Sequence, residues 1–145
     1  MDYIVFDLEW NQCPDGKERE VPALPFEIIE IGAVKLNSER KMVDKFHCLV
    51  RPVVYPKLHF RTREIVKKTE EELRQGMAFP EAVTRFLNWA GSEVQFCTWG
   101  AGDLIELQRN MKYYGILSMM KGPLHFYDVQ KLFAINYENT KERRS

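Results

Sequence analysis

IVFDLEWNQ, residues 4–12, reads as a buried β-strand that carries two carboxylates, Asp7 and Glu9, two positions apart. Successive side chains in a strand point to opposite faces, so Tyr3, Val5, Asp7 and Glu9 line one face and Ile4, Phe6, Leu8 and Trp10 the other. The two acids therefore stand side by side. Bringing two anions together at the end of an apolar strand is costly in desolvation and repulsion unless something positive lies between them, and a divalent cation meets that need.

Working outward, residues 13–25, CPDGKEREVPALP, combine prolines, a glycine and charges and read as a loop. FEIIEIGAVKL (26–36) and KMVDKFHCLVRPV (41–53) follow as strands, joined by the short connection NSER (37–40). Three consecutive strands with a short second connection predict an antiparallel meander. Helical signals begin in RTREIVKKTEEELRQG (61–76), where Thr69 and Glu72 form a capping box and Gly76 is a stop. FPEAVTRFLNWAG (79–91) places Val83, Phe86, Leu87 and Ala90 at helical spacing, with Pro80 near its start and Gly91 past its end. EVQFCTWG (93–100) reads as a short strand, and AGDLIELQRNMKYYG (101–115) as a helix through Leu104, Leu107, Met111 and Tyr114, closed by Gly115. GPLHFYDVQKLFAINY (122–137) predicts a short strand running into a helix. Strands first, then helices alternating with strands, define an α/β class: a mixed sheet, antiparallel over its first three strands, flanked by helices. No repeat or linker divides residues 1–145, which are expected to form a single domain.

Composition narrows the function classes. Lys plus Arg equals Asp plus Glu at 21 each, so any nucleic-acid surface must be local rather than a global field. No stretch approaches the ~20 apolar residues of a membrane span, so no membrane partner is expected and a cytoplasmic location follows as the default. Cys13, Cys48 and Cys97 lack the spacing of a zinc site or a disulfide framework and read as ordinary thiols.

A third acid joins the pair in CTWGAGDL (97–104). The strand is expected to end at Trp99, glycines at 100 and 102 permit a tight turn, and Asp103 stands at or near the start of the next helix. Alone, Asp103 is a helix cap. With Asp7 and Glu9 it completes three carboxylates at two strand ends, a hard oxygen set of the kind that binds Mg²⁺ or Mn²⁺. Basic residues Arg51, Lys57, Arg61, Arg63, Lys67 and Lys68 surround Tyr55 and Phe60, a mixture that reads either as a solvated surface or as a phosphate-contacting and base-stacking one.

In this order, FDLEWNQ, EIIEIGAVKL and FCTWGAGDL resemble the first two motifs of the DEDD 3′–5′ exonucleases, specifically the DEDDh branch that includes histone-mRNA 3′-end exonucleases and the inhibitors of the sporulation-kinase pathway. The resemblance implies a ribonuclease-H-like fold. It implies two Mg²⁺ or Mn²⁺ ions, with Asp7 bridging them, Glu9 binding one and Asp103 holding the second through water. It further implies stepwise hydrolysis of single-stranded nucleic acid, RNA favoured over DNA, to nucleoside 5′-monophosphates. Trp10 and Asn11 would receive the terminal nucleotide, the ring by stacking and the backbone by meeting the sugar hydroxyl; the rival reading of Trp10 is core packing on the back face. The branch's later motif, His-x-Ala-x-x-Asp, is absent from the chain: His47, His59 and His125 have no aspartate five positions on, and Asp128, three after His125, reads as a helix cap. The domain is therefore expected to be C-terminally incomplete and nearly inactive as given, or else a non-catalytic module that binds RNA or a regulatory protein partner.

Overall fold

A computed structural model describes residues 1–98 and 101–120, together with the backbone of 126–128. The expected strand end at Trp99, the turn at Gly100, His125, the helix from Val129 and the polar tail lie outside the described residues.

β1 (Asp2–Gln12), β2 (Phe26–Leu36) and β3 (Met42–Leu49) form the antiparallel meander that the sequence predicts. β4 (Val94–Thr98) joins β1 in parallel, from Asp2 opposite Val94 to Phe6 opposite Thr98, and β5 (Phe126–Asp128) pairs with β4, giving the mixed order β3-β2-β1-β4-β5. Two short helices, α1 (Phe60–Ile65) and α2 (Glu70–Arg74), follow β3. The longer helices α3 (Phe79–Ala90) and α4 (Ala101–Tyr113) flank β4 in the chain.

Strand alternation sends Ile4, Phe6 and Leu8 to one face, where they pack with Ile31, Ala33, Cys48 and Phe96 beneath Val83, Phe86 and Ala90 of α3 and Leu107 and Met111 of α4. Phe6 and Phe86 lie 5.7 Å apart between ring centres at the middle of this core. The consecutive Ile28-Ile29 pair breaks simple alternation for a definite reason. Glu9 pairs with Glu30 but Trp10 pairs with Ile28, so Ile29 is the extra residue of a β-bulge. The bulge lets Ile28 and Ile31 share the main core while Ile29 turns to the other face and packs with Leu58, Val66 and Leu73. The second face is thus covered near the end of β1 by the α1–α2 segment.

The capping box at α2 is present in both halves: Thr69 Oγ1 accepts from the Glu72 N–H, and a Glu72 carboxylate oxygen accepts from the Thr69 N–H. Gly91, at φ 90, ends α3 in a conformation that a side chain resists. The three cysteines, read from their spacing as ordinary thiols, are free, and the fold buries them. No helix among the described residues is long and apolar enough to cross a membrane.

Candidate active site

β4 pairs with β1 only as far as Phe6, so the last part of β1 leaves its ladder just where the carboxylates begin. Asp7 is exposed and Glu9 half-buried on the second face of the sheet. Asp103 is the third residue of α4 and is buried, so it does not serve as the helix's N-cap. Its carboxylate lies within electrostatic range of β1: the Leu8 backbone N–H favours its charged form and that of Asp7 as well.

Asn110 sets this register. It lies two turns along α4 from Asp103, its Oδ1 accepts from the Ile28 N–H at 3.0 Å, and its Nδ2 donates to the Phe26 carbonyl at 3.0 Å. The β-bulge and Asn110 together pin the helix over the strand ends. Glu106, one turn after Asp103, is buried as well: one carboxylate oxygen accepts from Arg109 and the other has no hydrogen-bond partner.

The three acids lie within one another's electrostatic range. Burial, reinforced by the charges of Asp7 and Glu9, pushes the Asp103 carboxyl from 3.8 up to about 7. Asp7 and Glu9 are raised as well, first by burial, then by neighbours: Glu30 acts on both and Asp7 on Glu9. No lysine or arginine lowers any of the three. An anionic, oxygen-only donor set lacking a basic partner fits a hard divalent cation, although no three His, Cys, Asp or Glu side chains among the described residues already stand at ligand separation. The sites thus agree in charge and donor type, with the carboxylates in Coulomb range of one another rather than closed on one point.

Beside Glu9 a cleft of about 240 Å³ opens between Leu8, Glu9, Trp10 and Gln12 of β1 and Arg61, Thr62, Ile65 and Val66 of the α1 segment. Trp10 lines it while packing partly on the main core, with its ring 5.9 Å from Phe26. The Asn11 side chain has a different task from the backbone contact expected of that residue. It is fully buried, its amide donates to the carbonyls of Tyr55 and Lys57 at 2.9 Å each, and its oxygen accepts from the His59 N–H. Glu27 adds a second clamp by accepting from the N–H groups of Val53, Val54 and Tyr55. These two residues, which the sequence motifs do not single out as structural, fix the 53–59 loop and so the far wall of the cleft. A polar residue next to the last position of β1 and another next to the first position of β2 were the available signal.

Tyr55 is removed from any base-stacking role, since its ring is buried and its hydroxyl donates to the Leu24 carbonyl while accepting from the Val21 N–H. Phe60, by contrast, is 64% exposed, stacked on His59 at 4.5 Å and flanked by the Arg61 guanidinium. Among the basic residues, Arg63 pairs with Glu70 and Lys57 stands 4.0 Å from Asp15, whereas Arg61 lines the cleft.

A mixed five-stranded sheet with acids gathered at the ends of β1 and the start of α4 defines a ribonuclease-H-like nuclease architecture. The chain belongs to the RNase T-type exonuclease family, whose profile matches residues 4–137. It is similar to the probable 3′-5′ exonuclease KapD of Bacillus subtilis (strain 168), with 33% identity over 123 residues, 83% of this chain and 58% of that protein. Its fold matches the nuclease domain of 3′hExo, a DEDDh family member bound to rAMP, with a TM-score of 0.72 and 21% identity over 94% of this chain and 70% of that one. It also matches cell-death related nuclease 4, with a TM-score of 0.75 and 18% identity over 96% of this chain and 48% of that one. The chain thus spans a little over half the length of its curated relative.

Proposed function

We propose that this chain is a metal-dependent 3′–5′ exonuclease domain acting on single-stranded nucleic acid, RNA in preference to DNA, and releasing nucleoside 5′-monophosphates. The observation that carries the reading is the gathering of Asp7, Glu9 and Asp103 in one field, where burial first and the charges of Asp7 and Glu9 second push the Asp103 carboxyl up to about 7. In this reading Asp7, Glu9 and Asp103 hold two Mg²⁺ or Mn²⁺ ions. Such ions, when bound, neutralise the phosphodiester and activate the attacking water. The cleft receives the strand's 3′ end, with Arg61 positioned to meet a phosphate, Trp10 and Phe60 offering ring faces to bases, and the Asn11 backbone lying at the sugar. The family resemblance to exonucleases that act on histone mRNA supports RNA.

The chain carries no His-x-Ala-x-x-Asp motif, so general-base assistance, worth typically ~10²–10⁴-fold, has no assigned residue and turnover by this chain is expected to be slow. The second reading is a non-catalytic module that binds RNA or a regulatory protein. Incubation of a 5′-labelled single-stranded RNA with the chain and Mg²⁺ or Mn²⁺, alongside Asp7→Asn, separates them. The exonuclease yields a slow ladder from the 3′ end that disappears in the variant; RNA binding with no ladder at high enzyme concentration supports the module. Cleavage that survives Asp7→Asn refutes the proposed site.

A further inference from the structure

Beyond the cleft, the second face of the sheet continues across β2 to β3. Asp7 pairs with Gly32, and Gly32 pairs with His47, so the three residues form one cross-strand row on the same face. In the next row Glu9 pairs with Glu30. The Glu30 carboxylate holds His47 through Nε2 at 2.7 Å. The imidazole is 59% exposed and lies two strand spacings, roughly 10 Å, from the strand of Asp7. Lys45, two residues before His47 on the same face, is exposed too. The row therefore runs from an anionic centre, over a bare position, to a basic outer strand.

Gly32 is the unusual member. It does not adopt a left-handed conformation, and a Cβ built there meets nothing nearer than the Asp7 carbonyl oxygen at 3.9 Å, an ordinary contact. Neither backbone conformation nor packing requires glycine in this strand, where it weakens the structure. A strand-interior glycine is found near bulges, such as the one at Ile29, and where a ligand or another backbone approaches closely, which the open space above Gly32 permits. The geometry points to a track for the nucleic-acid backbone: the strand leaves the acidic centre, crosses the bare sheet at Gly32, and places an upstream phosphate on His47, which Glu30 orients. With Nε2 engaged by Glu30, Nδ1 is the ring nitrogen left to meet a phosphate oxygen, as a donor in the imidazolium form. This inference rests on the nuclease reading above and extends it to substrate bound away from the cleaved bond.

The test is the affinity of the chain for a single-stranded oligonucleotide in Mg²⁺, measured by fluorescence anisotropy over a series of salt concentrations. His47→Ala is expected to weaken binding by about 3- to 10-fold. It is also expected to flatten the slope of log K against log salt by up to about 0.7, the loss of one single-strand phosphate contact. Gly32→Val, a good strand former whose methyl groups stand on the track, is expected to weaken binding at least as much while retaining the fold by circular dichroism. His47→Ala added to Gly32→Val should then cost nothing further. If the wild-type chain binds and either His47→Ala leaves both affinity and salt slope unchanged or the two variants are additive, the track is wrong although the nuclease reading stands. If the wild-type chain binds no oligonucleotide, the nuclease reading fails and the track falls with it.

Discussion

Asp103→Asn should make this protein more stable while disabling its proposed chemistry. The Asp103 carboxyl stands at about 7 in the fold against 3.8 in its ordinary state, because burial and the charges of Asp7 and Glu9 oppose ionisation. At about 1.4 kcal/mol per pH unit, that difference corresponds to at most about 4 kcal/mol of folding free energy withheld once the carboxyl is ionised in both states. The sign follows from the raised value: between about pH 4 and pH 7 the folded state binds the proton that the unfolded state has released, so stability due to this group falls as pH rises through that window. Asparagine retains the size of aspartate and an acceptor oxygen but carries no charge. Urea unfolding of wild type and variant in metal-free buffer should show a gain of about 1–4 kcal/mol at about pH 8 that shrinks to near zero below about pH 4. Added Mg²⁺ should then narrow the gap by stabilising wild type more than the variant. A gain independent of pH, or a loss of stability at every pH, would falsify the electrostatic account and leave Asp103 as a packing residue.

Three further expectations concern the walls of the site and the core behind it. Asn11→Ala strands the carbonyls of Tyr55 and Lys57 and the His59 N–H, and should cost about 3 kcal/mol in chemical unfolding, with faster hydrogen exchange in the 53–59 loop. Gly76→Ala drives a Cβ to 2.8 Å from the Leu49 carbonyl oxygen and 3.0 Å from the Arg51 nitrogen, both backbone atoms, and should destabilise by about 1–3 kcal/mol in a thermal melt, whereas Gly91→Ala is strained by its φ of 90 alone. Arg61→Ala, at an exposed position on the cleft wall, should leave the melting temperature unchanged and flatten the salt dependence of oligonucleotide binding by up to about 0.7, the single-strand value for one phosphate.

Fold and site divide differently between sequence and structure. Periodicity alone located the three antiparallel strands, the capping box of Thr69 and Glu72, and the helix between Pro80 and Gly91, because each depends on local spacing and on residues with strong backbone preferences. Alternation likewise put Asp7 and Glu9 together on one face and Trp10 on the other, where its ring does pack partly on the core. The family resemblance joined Asp103 to that pair, but residue spacing left it equally a helix cap. The tertiary structure decided that it lies past the cap position and within the field of Asp7 and Glu9, on a helix whose register over β2 is set by the Ile29 bulge and the Asn110 bridge. Asn11, Glu27 and Tyr55 were equally undetermined by sequence as loop anchors, and Gly32 and His47 as members of one row. Each of these contacts joins residues far apart in the chain, and hydrogen bonds and cross-strand rows of that kind exist only once the strands have paired. Local patterning chooses the elements; which polar groups meet is set by their register.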